Sequence, residues 1–177
     1  MRTAIILTLL LLTACTAPEP TPTPPQPTTT SQPPPTGLVI RPAYTDAAMG
    51  IRVLDIHLTN YGPDTTQING YPDIRILDKD RQPITATIGH GSSDISTMDA
   101  AFNAPPQPLT LEPGQSARVG LLWRNLVTEP DRTATHGVYL DIAPTLGATY
   151  QRIEPDGGID LGNTTKLGLS AWTKLTQ

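Results

Sequence analysis

The sequence predicts an all-β domain, a sandwich of about seven to nine short strands, and three observations predict it. Hydrophobic residues alternate with polar ones over short stretches, turn signals recur between those stretches, and no window sustains the i, i+3, i+4 spacing of an amphipathic helix. Composition agrees, since 20 Pro and 14 Gly set against one Phe and two Trp describe a chain rich in turns with one modest core. At 177 residues there is room for one domain of ordinary size and for accessory segments beside it.

Leu54, Ile56 and Leu58 alternate with Asp55, His57 and Thr59, so one face of this strand is buried and the other wet, and Asn60-Tyr61-Gly62-Pro63 ends it. Ile74 and Ile76 lie on a further strand, closed by the turn Asp78-Lys79-Asp80-Arg81 and followed by Ile84–Ile88 as its hairpin partner. Gly89–Pro108 is the longest stretch without a pattern, and a loop of that length in a compact domain is either functional or mobile. Leu109-Thr110-Leu111 leads through the turn Glu112-Pro113-Gly114-Gln115 into Ala117–Arg124, where Ala117, Val119, Leu121 and Trp123 share the inward face. Val138, Leu140 and Ile142 alternate in the same way, and Lys166–Trp172 closes the chain. This spacing of strands and turns is that of an immunoglobulin-like β-sandwich, with a barrel as the alternative.

The first residues obey different rules. After Arg2, the segment Ala4–Leu12 is apolar apart from Thr8, and it falls well short of the roughly 20 residues a membrane span needs. It ends in Leu12-Thr13-Ala14-Cys15, which resembles the lipobox of bacterial lipoproteins. The resemblance implies a signal peptide over residues 1–14, cleavage before Cys15, lipid on the Cys15 thiol, and a cell-membrane anchor on the extracytoplasmic face. Cys15 is the chain's single cysteine, so no internal disulfide can form. From there to Thr36 the chain is almost wholly Pro, Thr, Gln and Ser, with nothing to bury, and is expected to be a disordered spacer of polyproline II character. Fully extended, it would reach on the order of 60 Å. The folded domain is expected over residues 37–177.

Within that domain, Leu58-Thr59-Asn60-Tyr61-Gly62, Ile68-Asn69-Gly70-Tyr71-Pro72-Asp73, Leu111–Ala117 and Trp123 resemble the successive signatures of the DUF4232 family. The resemblance implies an immunoglobulin-like pattern and an exported protein of unknown role. It also implies a cysteine where this chain has Thr66, so the family's disulfide is absent here. Physical accounts suffice for each signature: Gly70-Tyr71-Pro72 as a corner between strands, Pro113-Gly114 as a turn, and Trp123 as the centre of the core.

Chemistry is sparse. The formal net charge is -4 and the 12 Lys and Arg are scattered, which leaves no electrostatic footprint for nucleic acid. His57, His90 and His136 do not fall at a metal-ligand spacing; together with Met49 and Met98 they make surface copper binding the alternative reading. Gly89-His90-Gly91-Ser92-Ser93-Asp94 gathers the residue types of a Ser-His-Asp enzyme, but in a polar loop rather than a strand-to-helix elbow. Asp78 with Asp80, Asp94 with Asp99, and Asp156-Gly157-Gly158 are turn and loop residues. The expectation is a membrane-anchored, non-catalytic binding or scaffold module without a cofactor. Its partner would be an envelope protein or cell-wall polymer, met through the loops Gly89–Pro108 and Asn125–Thr135.

Overall fold

The structure, a computed structural model, describes residues 35–128 and 130–176. The expected signal peptide, Cys15 and the expected spacer as far as residue 34 lie outside the described residues. No helix is present among those described, and thirteen strands are. In chain order these are β1 (Leu38–Ala48), β2 (Ile51–Asn60), β3 (Thr66–Ile68), β4 (Asp73–Leu77), β5 (Thr87–His90), β6 (Leu109–Leu111) and β7 (Ser116–Arg124), followed by β8 (Thr135–Gly137), β9 (Tyr139–Ala143), β10 (Gln151–Ile153), β11 (Ile159–Gly162), β12 (Lys166–Leu169) and β13 (Thr173–Lys174).

A large sheet runs β1-β2-β7-β12-β5, with β13 paired to the start of β7, and a small sheet runs β10-β9-β4. Two short ribbons, β3-β6 and β8-β11, complete the body. The alternation read in β2 and β7 is the reason two layers form. Leu54, Ile56, Leu58, Val119, Leu121 and Trp123 project from the large sheet and meet Ile74, Ile76, Leu140 and Ile142 of the small sheet in one buried core. The fold is therefore an all-β sandwich, and no strand order closes into a barrel. The strands outnumber the seven to nine expected because the additional ones hold only two to four residues, too short for a period of two to show.

β1 and β2 form a hairpin whose turn residues, Met49 and Gly50, have φ of 49° and 80°, the doubly positive pattern of a type I′ turn. At the free edge of β1 the side chain of Gln151 replaces a neighbouring strand. Its Oε1 accepts from the Ile40 amide and its Nε2 donates to the Leu38 carbonyl, each at 2.9 Å. Both tryptophans are buried with their indole N–H groups satisfied, Trp123 by Asp160 Oδ1 at 2.9 Å and Trp172 by the Pro144 carbonyl at 2.8 Å.

Three sequence expectations change. Ile84–Ile88 is not a full hairpin partner of β4. The ladder ends after the Ile84 amide reaches the Ile76 carbonyl, and Pro83 has no N–H to extend it. The chain then crosses to the large sheet, where β5 runs parallel to β12, so Gly89 and His90 are strand residues rather than loop. The last strand is likewise interrupted. Ser170 exchanges bonds with Gly120, its amide donating to the Gly120 carbonyl and its Oγ accepting from the Gly120 amide, before β13 resumes at Thr173.

Candidate binding groove

The outward residues of the large sheet follow from the same register. β2 and β7 pair Val53 with Leu122, Asp55 with Gly120 and His57 with Arg118, and these positions face away from the main core. Over one end of this face lies the segment 91–108, which is an ordered flap. Asp99 Oδ1 accepts from the Phe102 amide at 2.8 Å. Asn103 Oδ1 accepts from the Ser92 amide at 2.9 Å, while its Nδ2 donates to the Asp99 carbonyl. Arg124 Nη2 donates to the Ile95 carbonyl from the sheet below. Ile95, Phe102 and Leu122 make a second, smaller core there, with Ile51, Val53 and Met98 against it. Gly120 is what lets the flap seat: a Cβ at that position would stand 2.7 Å from Phe102 Cε2.

Between the flap and the exposed half of the face runs a groove of about 250 Å³. Met98, Asp99, Ala101 and Phe102 form its flap wall, and Tyr44 and Asp46 of β1 form the opposite wall. Val53, Gly120 and Ser170 line its floor, and Arg118 with its β13 neighbour Thr173 lines it farther along β7, away from the flap-covered Leu122. Tyr44 is 63% exposed, an aromatic ring left in water beside the cavity. Three carboxylates against one guanidinium leave the lining negative. Each carboxylate has one oxygen engaged: Asp46 Oδ1 by the Ala47 amide, Asp99 Oδ1 by the Phe102 amide, and Asp55 Oδ2 by His57 Nε2 at 3.2 Å. The second oxygen of each has no hydrogen-bond partner among the described residues. Ser170 and Thr173 direct their hydroxyls to backbone carbonyls, so neither is paired with a base.

The family model for a domain of unknown function, DUF4232, matches residues 34–173. The chain belongs to the DUF4232 family. No curated protein and no solved structure matches it.

Several DUF4232 signature residues hold turns and corners together. Asn60 is buried, its Nδ2 donating to the Leu111 and Asp64 carbonyls and its Oδ1 accepting from the Gly62 amide. Its backbone receives the Gly114 amide, so the Asn60–Gly62 and Glu112–Gln115 turns are clasped together. Gly70, at φ 94°, accepts from the Trp172 amide, as a corner should. None of these signature residues lines the groove. Thr66, standing where the family's cysteine is implied, pairs with Leu111 in the β3-β6 ribbon.

The residues singled out for chemistry do not converge within the DUF4232 domain. His57 is bound to Asp55 on β2, His90 stacks on Tyr71 with centroids 3.6 Å apart, and His136 lies on β8 beside Gly158. Among the described residues no three His, Cys, Asp or Glu side chains are grouped closely enough to hold a metal ion. Met49 is 99% exposed on its turn, whereas Met98 is part of the flap and packs against the Ile95, Phe102 and Leu122 cluster. Ser93 donates its hydroxyl to the His90 carbonyl rather than to a base. Asp78 Oδ1 accepts the Asp80 and Gln82 amides as a turn residue does, and Asp156–Gly158 closes a turn onto Pro155. The start of the 125–135 loop is pinned by Asn125 to Asp160 and by the Thr128 amide to Asn163, leaving Leu126 and Val127 exposed.

The outer face of the small sheet carries a second polar array. Arg152 forms two bonds to Asp141, and Arg75 lies 4.2 Å above the Tyr150 ring. The Tyr150 hydroxyl donates to Asp73, which raises its pKa above the usual value of 10.0, with desolvation adding to the effect. The Arg152 guanidinium is held still more firmly protonated by its bond to Asp141.

Proposed function

We propose that this protein is an exported lipoprotein of the cell envelope, anchored by lipid on Cys15, whose DUF4232 domain binds a ligand without transforming it. The anchor rests on Leu12-Thr13-Ala14-Cys15 directly after an apolar segment of signal-peptide length. Two acyl chains make such an attachment durable. The binding role rests on the groove between the flap and the large sheet. It combines an exposed aromatic wall, a floor of Val53, Gly120 and Ser170, and carboxylates with free oxygens, and its hydroxyls lack a neighbouring base. Of the two loops expected to meet a partner, 89–108 supplies one wall of the groove as the flap, and no described residue of 125–135 lines it. Among the described residues no group of three His, Cys, Asp or Glu side chains supports the copper reading.

A Cys15→Ala variant is expected to leave the membrane fraction for the soluble exported fraction and to lose incorporation of labelled palmitate. If it fractionates with membranes as the parent does, the anchor assignment fails. For the groove, Gly120→Leu is expected to fill the floor and abolish retention of whatever envelope component the parent retains. Retention unchanged in a folded Gly120→Leu protein would move the binding site elsewhere.

A further inference from the structure

We infer that the groove takes an aliphatic polyamine, a ligand whose ammonium groups are spaced along a methylene chain. This deepens the binding role proposed above and rests on it.

The argument begins with register. Asp46 is paired with Val53, and Asp55 lies two residues farther along β2 on the same face, so the two carboxylates are diagonal neighbours. The Cα atoms of such neighbours stand roughly 7 Å apart, and a chain of a few methylenes spans a separation of that order. Asp99 faces them from the flap, and each of the three keeps one carboxylate oxygen unengaged among the described residues. They are dispersed along the cavity rather than gathered, since no three acidic groups there can hold a metal ion. Dispersed negative charge suits a ligand with dispersed positive charge.

The surfaces between the carboxylates include apolar and aromatic ones beside the Ser170 hydroxyl. Val53 and Gly120 lie in the floor with Ser170, Phe102 in one wall and the exposed Tyr44 ring in the other. Methylenes pack on such surfaces, and an ammonium over the tyrosine face gains a cation–π contribution. Arg118 and His57 stand beside each other across β7 and β2, away from the flap-covered Leu122. The positive charge of Arg118 sets the limit of the cationic ligand there and repels a further ammonium.

The test uses the full-length protein in detergent, titrated with spermidine and followed by calorimetry and by amide shifts of Tyr44, Phe102 and Gly120. Spermidine is expected to bind with moderate affinity, to move these three amides and to weaken as salt is added. Asp55→Asn and Asp46→Asn, which keep the engaged oxygen and the side-chain shape, should each weaken binding about tenfold. Arg118→Ala should tighten it several-fold, a gain that a merely structural role for Arg118 would not produce. Absence of spermidine binding, or binding indifferent to all three substitutions, overturns the inference. Parallel titrations with a lysine-rich peptide, a neutral N-acetylglucosamine oligomer and citrate separate the two levels. Shifts of the groove amides with one of these but not with spermidine overturn the polyamine assignment and leave the groove as a binding site. No shift with any probe takes down both.

Discussion

Residue 120 has no side chain because the one phenylalanine of the protein occupies the space above it. A Gly120→Ala substitution is therefore expected to displace the Phe102 ring and destabilise the domain by roughly 1–3 kcal/mol, the usual cost of overpacking. Urea unfolding checks this, and in a Phe102→Ala background most of that loss should disappear, because the two residues share one contact. Asp160 is a second position where one side chain holds several groups. It accepts from the Trp123 indole at 2.9 Å and from Asn125 at 2.6 Å, and Arg52 lies 3.7 Å away. Asp160→Ala strands a buried N–H, with an expected loss of about 1–3 kcal/mol at the same midpoint measurement, whereas Asp160→Asn retains an acceptor for the indole and should lose less. Tyr150 contributes one pH dependence. Because its bond to Asp73 raises the folded-state pKa, the contribution of that bond is complete below the ordinary tyrosine value and is lost as pH rises through the higher folded value. Absorbance titration should show a late phenolate step that Tyr150→Phe removes and that Asp73→Asn brings down to lower pH.

At the scale of elements, the flap and the sandwich beneath it are separable. The flap is held by side-chain bonds from Asp99 and Asn103 and by a small core of its own, apart from the large cluster between the sheets. Asn103→Ala should therefore open the flap to limited proteolysis between Ser92 and Asn103 while lowering the unfolding midpoint of the whole domain only slightly. β2 and β7 were legible in the sequence because each buries one face, and a half-buried strand writes its period in alternating residues. The flap was not legible. Ile95, Met98 and Phe102 are spaced by three and four residues without forming a helix, and their burial depends on a sheet face that local pattern describes as solvated. Leu122 is the residue that marks the difference: it points away from Leu121 and Trp123, and is fully buried only because the flap covers it. β5 was hidden for another reason, since its partner β12 lies almost 80 residues downstream and a parallel pairing leaves no turn between them to recognise.

At the scale of the whole molecule, one core unites both sheets, so the domain should unfold in a single cooperative transition by fluorescence of its two buried tryptophans. The candidate site was legible only in part. Its loop wall could be named from length and composition, whereas the diagonal of Asp46 and Asp55 needs the register of β1 on β2, which no local pattern specifies when a bulge lies between Pro42 and Thr45. That same β1 is the outer strand of the large sheet, and Gln151 and Pro42 are what stand along its free side. A protein held on a surface by lipid, as we propose, meets its own copies in two dimensions, at an effective concentration well above that of a freely diffusing chain. There an open row of amides and carbonyls would template one copy onto the next. The carboxamide of Gln151, by answering both Leu38 and Ile40, takes two of those edge groups out of reach of a neighbouring copy in that crowded layer.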